Sequence, residues 1–123
     1  KQIKKTGDKT VREMREELEG NLLDIFESLR NFILVLGDDV QEKELKLYLA
    51  YRRIKNFACI TIGKKDLTLY LKVDPDTVTL EEGFTRDVRN IGHWATGNLE
   101  VRITNTEQLK KSQALIERAY GEG

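Results

Sequence analysis

The chain has 123 residues, of which 39% are hydrophobic and 34% charged; that is the composition of one globular domain with its own core, not of a disordered chain. Lys plus Arg and Asp plus Glu both number 21, so no global charge argues for a polyanionic partner. No apolar run approaches the ~20 residues of a membrane span, and a single cysteine allows no internal disulfide, so the expectation is a cytoplasmic domain with no membrane association.

The lead, residues 1–9 (KQIKKTGDK), is charged and unpatterned, and it begins at Lys1 instead of Met. It reads as a linker from a preceding domain, with residues 10–123 as a single α+β domain. Val11, Met14, Leu18, Leu22, Ile25, Leu29, Ile33 and Leu36 then recur every three or four positions. Their seven steps cover 25 residues, about 3.6 per step, which is the helix period. Thr10 and Glu13 have capping-box spacing, and Gly37 supplies a stop. Gly20-Asn21 is a possible break, but the apolar phase carries through it, so the pattern predicts one continuous helix over about residues 11–36.

Strand signals follow. Over residues 45–51, Leu45, Leu47, Leu49 and Tyr51 share one face. Residues 57–62 form a short apolar run, and Gly63-Lys64-Lys65-Asp66 has turn chemistry. Over residues 67–73, Leu67, Leu69, Leu71 and Val73 share a face, and Asp74-Pro75-Asp76 ends the segment. The connections are too short for parallel crossovers, so these three segments read as an antiparallel meander. Leu99, Val101 and Ile103 mark a fourth strand. Asn105 or Thr106 then caps a closing helix with Leu109, Ile116 and Tyr120 on one stripe and Gly121 at its end. The predicted architecture is α+β in the order α-β-β-β-β-α. A four-stranded, mainly antiparallel sheet carries the long N-terminal and the short C-terminal helix on one face, and the connection over residues 75–97 wraps an edge or an end.

Little in the chain suggests catalysis. One His (His93) and one Cys (Cys59), 34 residues apart, are too few for a zinc site, so neither metal nor cofactor is expected. Cys59 lies in an apolar run and reads as buried and inert. Glu44-Leu45-Lys46 matches the E-x-K of a common nuclease core, but Asp76 comes after it, where the acidic residue should come before. Gly92 to Gly97 lacks the Lys-Ser/Thr of a phosphate loop. The domain therefore reads as non-enzymatic, whatever activity a longer parent chain carries.

Two stretches stand out. The first is GFTRDVRNIGHWATGNLEVRI, residues 83–103, which holds the only His and the only Trp beside Arg86, Asp87, Arg89 and Asn90. One reading is structural, with an Arg–Asp pair tying the loop to the sheet and Trp94 plugging the core. The other is a binding surface, with Trp94 stacking on a ring and the arginines meeting phosphate or carboxylate. The second stretch is residues 41–73, where eight Lys/Arg face three Asp/Glu. It contains Arg52, Arg53 and Lys55 near Tyr48 and Tyr51, which reads either as a solvated hairpin connection or as a basic patch that tracks a nucleic-acid backbone.

The segments LYLAYRRIKNFACI, LTLYLKVDPDTV and GFTRDVRNIGHWATGNLEVRI, with a helix ending near LIERAY, resemble the family called domain of unknown function 5655 over roughly residues 34–120. The most specific part is Arg86-Asp87-Val88 running into Asn90-Ile91-Gly92-His93-Trp94, then Gly97-Asn98-Leu99-Glu100-Val101; members commonly carry a second Gly where this chain has Ala95. The resemblance implies the C-terminal domain of a longer protein. In some members a separate nuclease-like domain precedes it in restriction-endonuclease-like chains. Others are labelled predicted transport proteins, a label with no membrane segment here to support it. No catalytic residue comes with the resemblance. The resulting expectation is a non-catalytic accessory domain of a restriction or defence-type DNA-processing protein. It would contact nucleic acid through Arg52, Arg53 and Lys55 on phosphate, and through Arg86, Arg89, His93 and Trp94 on a base or an end. The alternative is a protein-interaction or dimerisation module, a homodimer included, whose basic residues only solvate it. A third reading is a small-ligand pocket around Trp94.

Overall fold

Thr10 opens the first helix as expected: its hydroxyl accepts from the Glu13 N–H at 3.1 Å, and the Glu13 carboxylate takes the Thr10 N–H at 2.8 Å. That helix stops early. The computed structural model describes residues 9–93 and 95–122, and in it the expected single helix is two, α1 (Val11–Glu16) and α2 (Gly20–Leu34). The break spans residues 17–19, where Glu19 is extended (φ −153°, ψ 165°), and Gly20 opens α2 at a left-handed φ of 61° that one continuous right-handed helix could not hold. The apolar phase runs through the break because Met14, Leu18 and Leu22 still turn toward the same core. Periodicity reports which side faces the core, and a kink that keeps the side leaves it unchanged. Helix α2 ends at Leu34, capped by Val35, so Gly37 is not its stop.

The sheet has six strands rather than four: β1 (Gln41–Glu44), β2 (Leu49–Arg52), β3 (Asn56–Ile62), β4 (Leu67–Leu71), β5 (Thr85–Asp87) and β6 (Leu99–Ile103). Their order is β1-β2-β3-β4-β6-β5, with every neighbouring pair antiparallel. The segment expected as one strand over 45–51 is half turn. The Leu45 N–H bonds the Tyr48 carbonyl at 2.9 Å, and the Lys46 carbonyl accepts from the Val11 N–H at 2.7 Å, which anchors the start of α1. Leu45 therefore leaves the face it was expected to share with Leu49 and Tyr51, and packs on the opposite side. The connection after Pro75 does wrap an edge, and in doing so it supplies β5 as an edge strand. The closing helix α3 (Thr106–Glu122) is the longest helix among the described residues, and it runs through Gly121. Asn105 caps it, its side-chain oxygen accepting from the Gln108 N–H at 2.8 Å.

One face of the sheet carries Leu49, Tyr51, Ile60, Leu67, Leu69, Leu71, Leu99, Val101 and Ile103, all at most 1% exposed. Against it pack Phe26, Leu29 and Ile33 of α2 and Leu109, Ile116 and Ala119 of α3. The apolar stripe of α2 is thus taken up by its own sheet. A polar clamp ties α2 to edge strand β1 on this side. Arg30 binds Glu42 through two hydrogen bonds of 2.7 Å, and the buried Tyr51 hydroxyl donates to the same carboxylate at 2.6 Å. The opposite face is left to the loops, and it holds the residues of functional interest.

Candidate nucleic-acid interface

The strand register lines up one row across all six strands on the face away from the helices. Lys43 is opposite Ala50, Ala50 opposite Cys59, Cys59 opposite Tyr70, Tyr70 opposite Glu100, and Glu100 opposite Arg86. The middle of the row is small and apolar, and Ala95, Leu45 and Tyr48 close over it. Burial pushes the Cys59 thiol up to about 11, which makes it inert as a nucleophile at neutral pH. The outer part of the row is charged. Arg86 donates to Glu100 at 3.1 and 3.0 Å, and the Tyr70 hydroxyl reaches the same carboxylate at 3.3 Å. Burial, and then the Glu100 charge, raise the Tyr70 hydroxyl above its ordinary range.

The loop between β5 and β6 returns across this face. Its anchor is the backbone at residues 97–98, where the Asn98 N–H bonds the Leu71 carbonyl at 3.1 Å. His93 stacks on Tyr70, with ring centroids 4.9 Å apart and planes 13° apart. Its two nitrogens face the carbonyls of Ile91 at 2.7 Å and Gly97 at 2.8 Å; a carbonyl only accepts, so a neutral ring donates to one of the two. Beside it opens a cleft of about 400 Å³, lined by Thr61, Tyr70, Gly92, His93 and Ala95.

The residues marked from sequence fall into three groups. Arg86 and His93 converge, linked through Glu100 and Tyr70. Arg89 lies elsewhere, in an acidic clasp. It reaches Asp87 at 2.7 Å, Asp76 at 2.9 Å and Asp74 at 3.7 Å, and it holds the Asp76 and Asp87 carboxyls below their ordinary range. Arg52, Arg53 and Lys55 lie at the β2–β3 hairpin. Arg53 donates to Asp39 and to the Tyr120 carbonyl, both at 2.9 Å, and lies 4.3 Å from the Tyr120 ring centre. The Tyr120 hydroxyl, and then Arg53, hold the Asp39 carboxyl below its ordinary range. Trp94 lies outside the described residues.

Three of the marked arginines are therefore already matched by carboxylates. Arg52 and Lys55 are not: among the described residues neither makes an ion pair, and Arg52 spends one N–H on the Ile54 carbonyl at 3.0 Å. Lys43 and Lys72 are equally unpaired among the described residues, and sequence reading passed over both. Strand alternation puts Lys43 on the face away from the helices, since Glu42 points to the helix side; Lys72, just past β4, lies between Leu71 and Val73 of the helix-side core, and Arg52 follows the helix-side Tyr51 where the β2–β3 register shifts. The signal for Lys72 was present in the alternation of residues 67–73. The signal for Lys43 was not, because β1 was not foreseen. Among the described residues, no three His, Cys, Asp or Glu side chains are grouped as a metal site requires, and no helix is long and apolar enough to cross a membrane.

A family described as "Domain of unknown function (DUF5655)" matches residues 8–122. An "Uncharacterized protein" of Haemophilus influenzae is 29% identical over 96 residues, covering 78% of this chain and 32% of its own length. The chain thus spans about a third of that relative. No solved structure matches the chain.

Proposed function

The chain belongs to the DUF5655 family, and on that premise we propose that it is a non-catalytic accessory domain that contacts nucleic acid through the sheet face opposite its helices. The observation that carries this reading is that several of the cations without carboxylate partners among the described residues share one face. Lys43 and Lys72 lie on that face, with Arg52 and Lys55 in the adjoining hairpin. Unpaired Lys and Arg on one surface are what counterion release from a phosphate backbone requires. The parent context, a restriction or defence-type DNA-processing protein with a nuclease-like domain on the same chain, rests on the family resemblance alone. The interaction-module alternative has less to draw on. A helix stripe too wide for its own sheet would have invited a partner helix, and Ile25, Phe26, Leu29 and Ile33 are all consumed internally.

The test is a titration of labelled single- and double-stranded DNA at low and at physiological salt. The expected result is binding that weakens steeply with salt. Changing Lys43, Arg52, Lys55 and Lys72 to Gln one at a time should reduce the slope by about one each. No binding at low salt would remove the reading for this domain.

A further inference from the structure

The cleft beside His93 lies on the same face as the unpaired cations. Its volume of about 400 Å³ falls within the ~300–1,000 Å³ of small-ligand sites. Its contents are those of a site for a flat ring. The stacked Tyr70–His93 pair offers aromatic surface, Ala95 and Gly92 add an apolar boundary with little side chain in the way, and the Thr61 hydroxyl supplies a polar atom. That hydroxyl donates to the Thr68 carbonyl at 3.3 Å, so its oxygen lone pairs stay open to a donor. His93 forms one wall of the cleft, stacked on Tyr70 with its ring nitrogens turned toward the backbone carbonyls of Ile91 and Gly97, to one of which a neutral ring donates.

The positions of the cations narrow the class of ring. Lys72 is two residues past Tyr70 on the same face, about 7 Å along the strand. Ala50 is level with Tyr70 in the register, and Arg52 is two residues past it in the same direction, because β2 and β4 both run antiparallel to β3. Lys72 therefore stands past the Tyr70 end of the cleft, away from Thr61, and Arg52 about 10 Å further across the sheet, with the covered Ala50–Cys59 patch between it and the cleft. An aromatic ring with positive charge one step away on one side matches a base joined to a phosphodiester backbone.

We propose that this cleft takes a single unstacked base of a nucleic-acid strand whose phosphates lie along Lys72 and Arg52. The inference rests on the nucleic-acid reading above and adds to it: the preferred ligand is single-stranded, and affinity comes partly from the base. Stacking of this kind tolerates any sequence, since every base has a π-face.

The experiment compares three probes of equal length by fluorescence anisotropy at low salt: an oligothymidine, its abasic counterpart with the same phosphates, and a duplex. Trp94, the only Trp and the sequence neighbour of His93, gives a second readout by intrinsic fluorescence. The oligothymidine should bind about tenfold tighter than the abasic strand, with a change in Trp94 emission that the abasic strand does not produce. Thr61→Tyr fills the cleft from a sheet position that favours aromatic residues. Checked for folding by circular dichroism, it should erase the difference between the two strands and leave abasic binding unchanged. Thymidine alone binding as tightly as the oligomer would overturn the role of the phosphates. Equal binding of base-bearing and abasic strands would overturn the cleft and leave the nucleic-acid reading standing, as would a Thr61→Tyr protein that still discriminates between them. No binding of any probe would remove both.

Discussion

Gly97→Ala tests how the loop is held to the sheet. Gly97 has a φ of 142°, a region that side chains rarely adopt. A Cβ there would lie 2.9 Å from the Leu71 nitrogen, 2.9 Å from the Tyr70 carbonyl carbon and 3.0 Å from the Leu71 oxygen. All three atoms are backbone of β4, which is paired on both sides, so the strand cannot yield and the loop must lift. The strained backbone costs about 1–3 kcal/mol, and the overpacking about 1–3 kcal/mol. The unfolded chain returns about 0.4–1 kcal/mol through its lost freedom. The net expectation is a loss of about 1–5 kcal/mol, read as a lower urea midpoint at unchanged m-value. Gly83→Ala is the control. Its φ of 82° imposes strain, but nothing lies within 4 Å of the new Cβ, so it should cost only the strain share. Lifting the loop also removes the Gly97 carbonyl from His93 and the Asn98 N–H from Leu71, so His93 ring resonances should shift in Gly97→Ala and stay in place in Gly83→Ala. A loss below about 0.5 kcal/mol for Gly97→Ala, or equal losses for both variants, would refute the close approach as its cause.

Glu42→Gln removes the charge that Arg30 and the Tyr51 hydroxyl share, and should destabilise the domain by about 1–3 kcal/mol in urea. Burial alone would raise the Glu42 carboxyl, but the hydrogen bonds from Arg30 and Tyr51 outweigh it and the group lies below its ordinary range. Its contribution is therefore present at neutral pH. It is lost as pH falls below the ordinary carboxylate range and through the folded value, so the stability of Glu42→Gln should vary less with acid than that of the wild type. Arg89→Gln should leave the salt slope of nucleic-acid binding unchanged, because Asp74, Asp76 and Asp87 already answer that charge; a slope reduced by one would show that the clasp opens to phosphate. Cys59 should resist iodoacetamide at pH 8 in the folded protein and react once urea unfolds it, and rapid native alkylation would contradict its burial.

Much of the fold could be read in the chain because burial is periodic. Three of the four expected strands form at their places, and the α+β class and the closing helix follow from the same patterns. The misses have physical causes. The break ahead of Gly20 splits a helix without breaking its apolar phase, which is invisible to a count of steps. Strand β1, with the sequence Gln-Glu-Lys-Glu, is an exposed edge with no apolar alternation, and only pairing with β2 makes it a strand. Strand β5 is three residues long and owes its existence to β6. Residues 45–48 alternate like a strand, yet they form the turn whose carbonyl holds Val11.

The candidate site was less legible, because a basic residue in a sequence says nothing about its partner. Arg53, Arg86 and Arg89 looked like phosphate ligands and are matched by acids 14, 14 and 2 to 15 residues away. That pairing also bears on the objection from zero net charge. Surface fields are screened within about 8–10 Å at physiological salt, so a bound strand feels the nearby charges and not the total. The acids of residues 74–82 are drawn largely to Arg89 and Lys111, away from the row that carries Lys43. Glu100 is the acid in that row, and Arg86 answers it. What remains along β1, β2 and the end of β4 is positive. A neutral domain can hold such a face when its folding contacts consume acids and bases unevenly across the surface, and here the helix side consumes Glu42, Glu44 and Asp39.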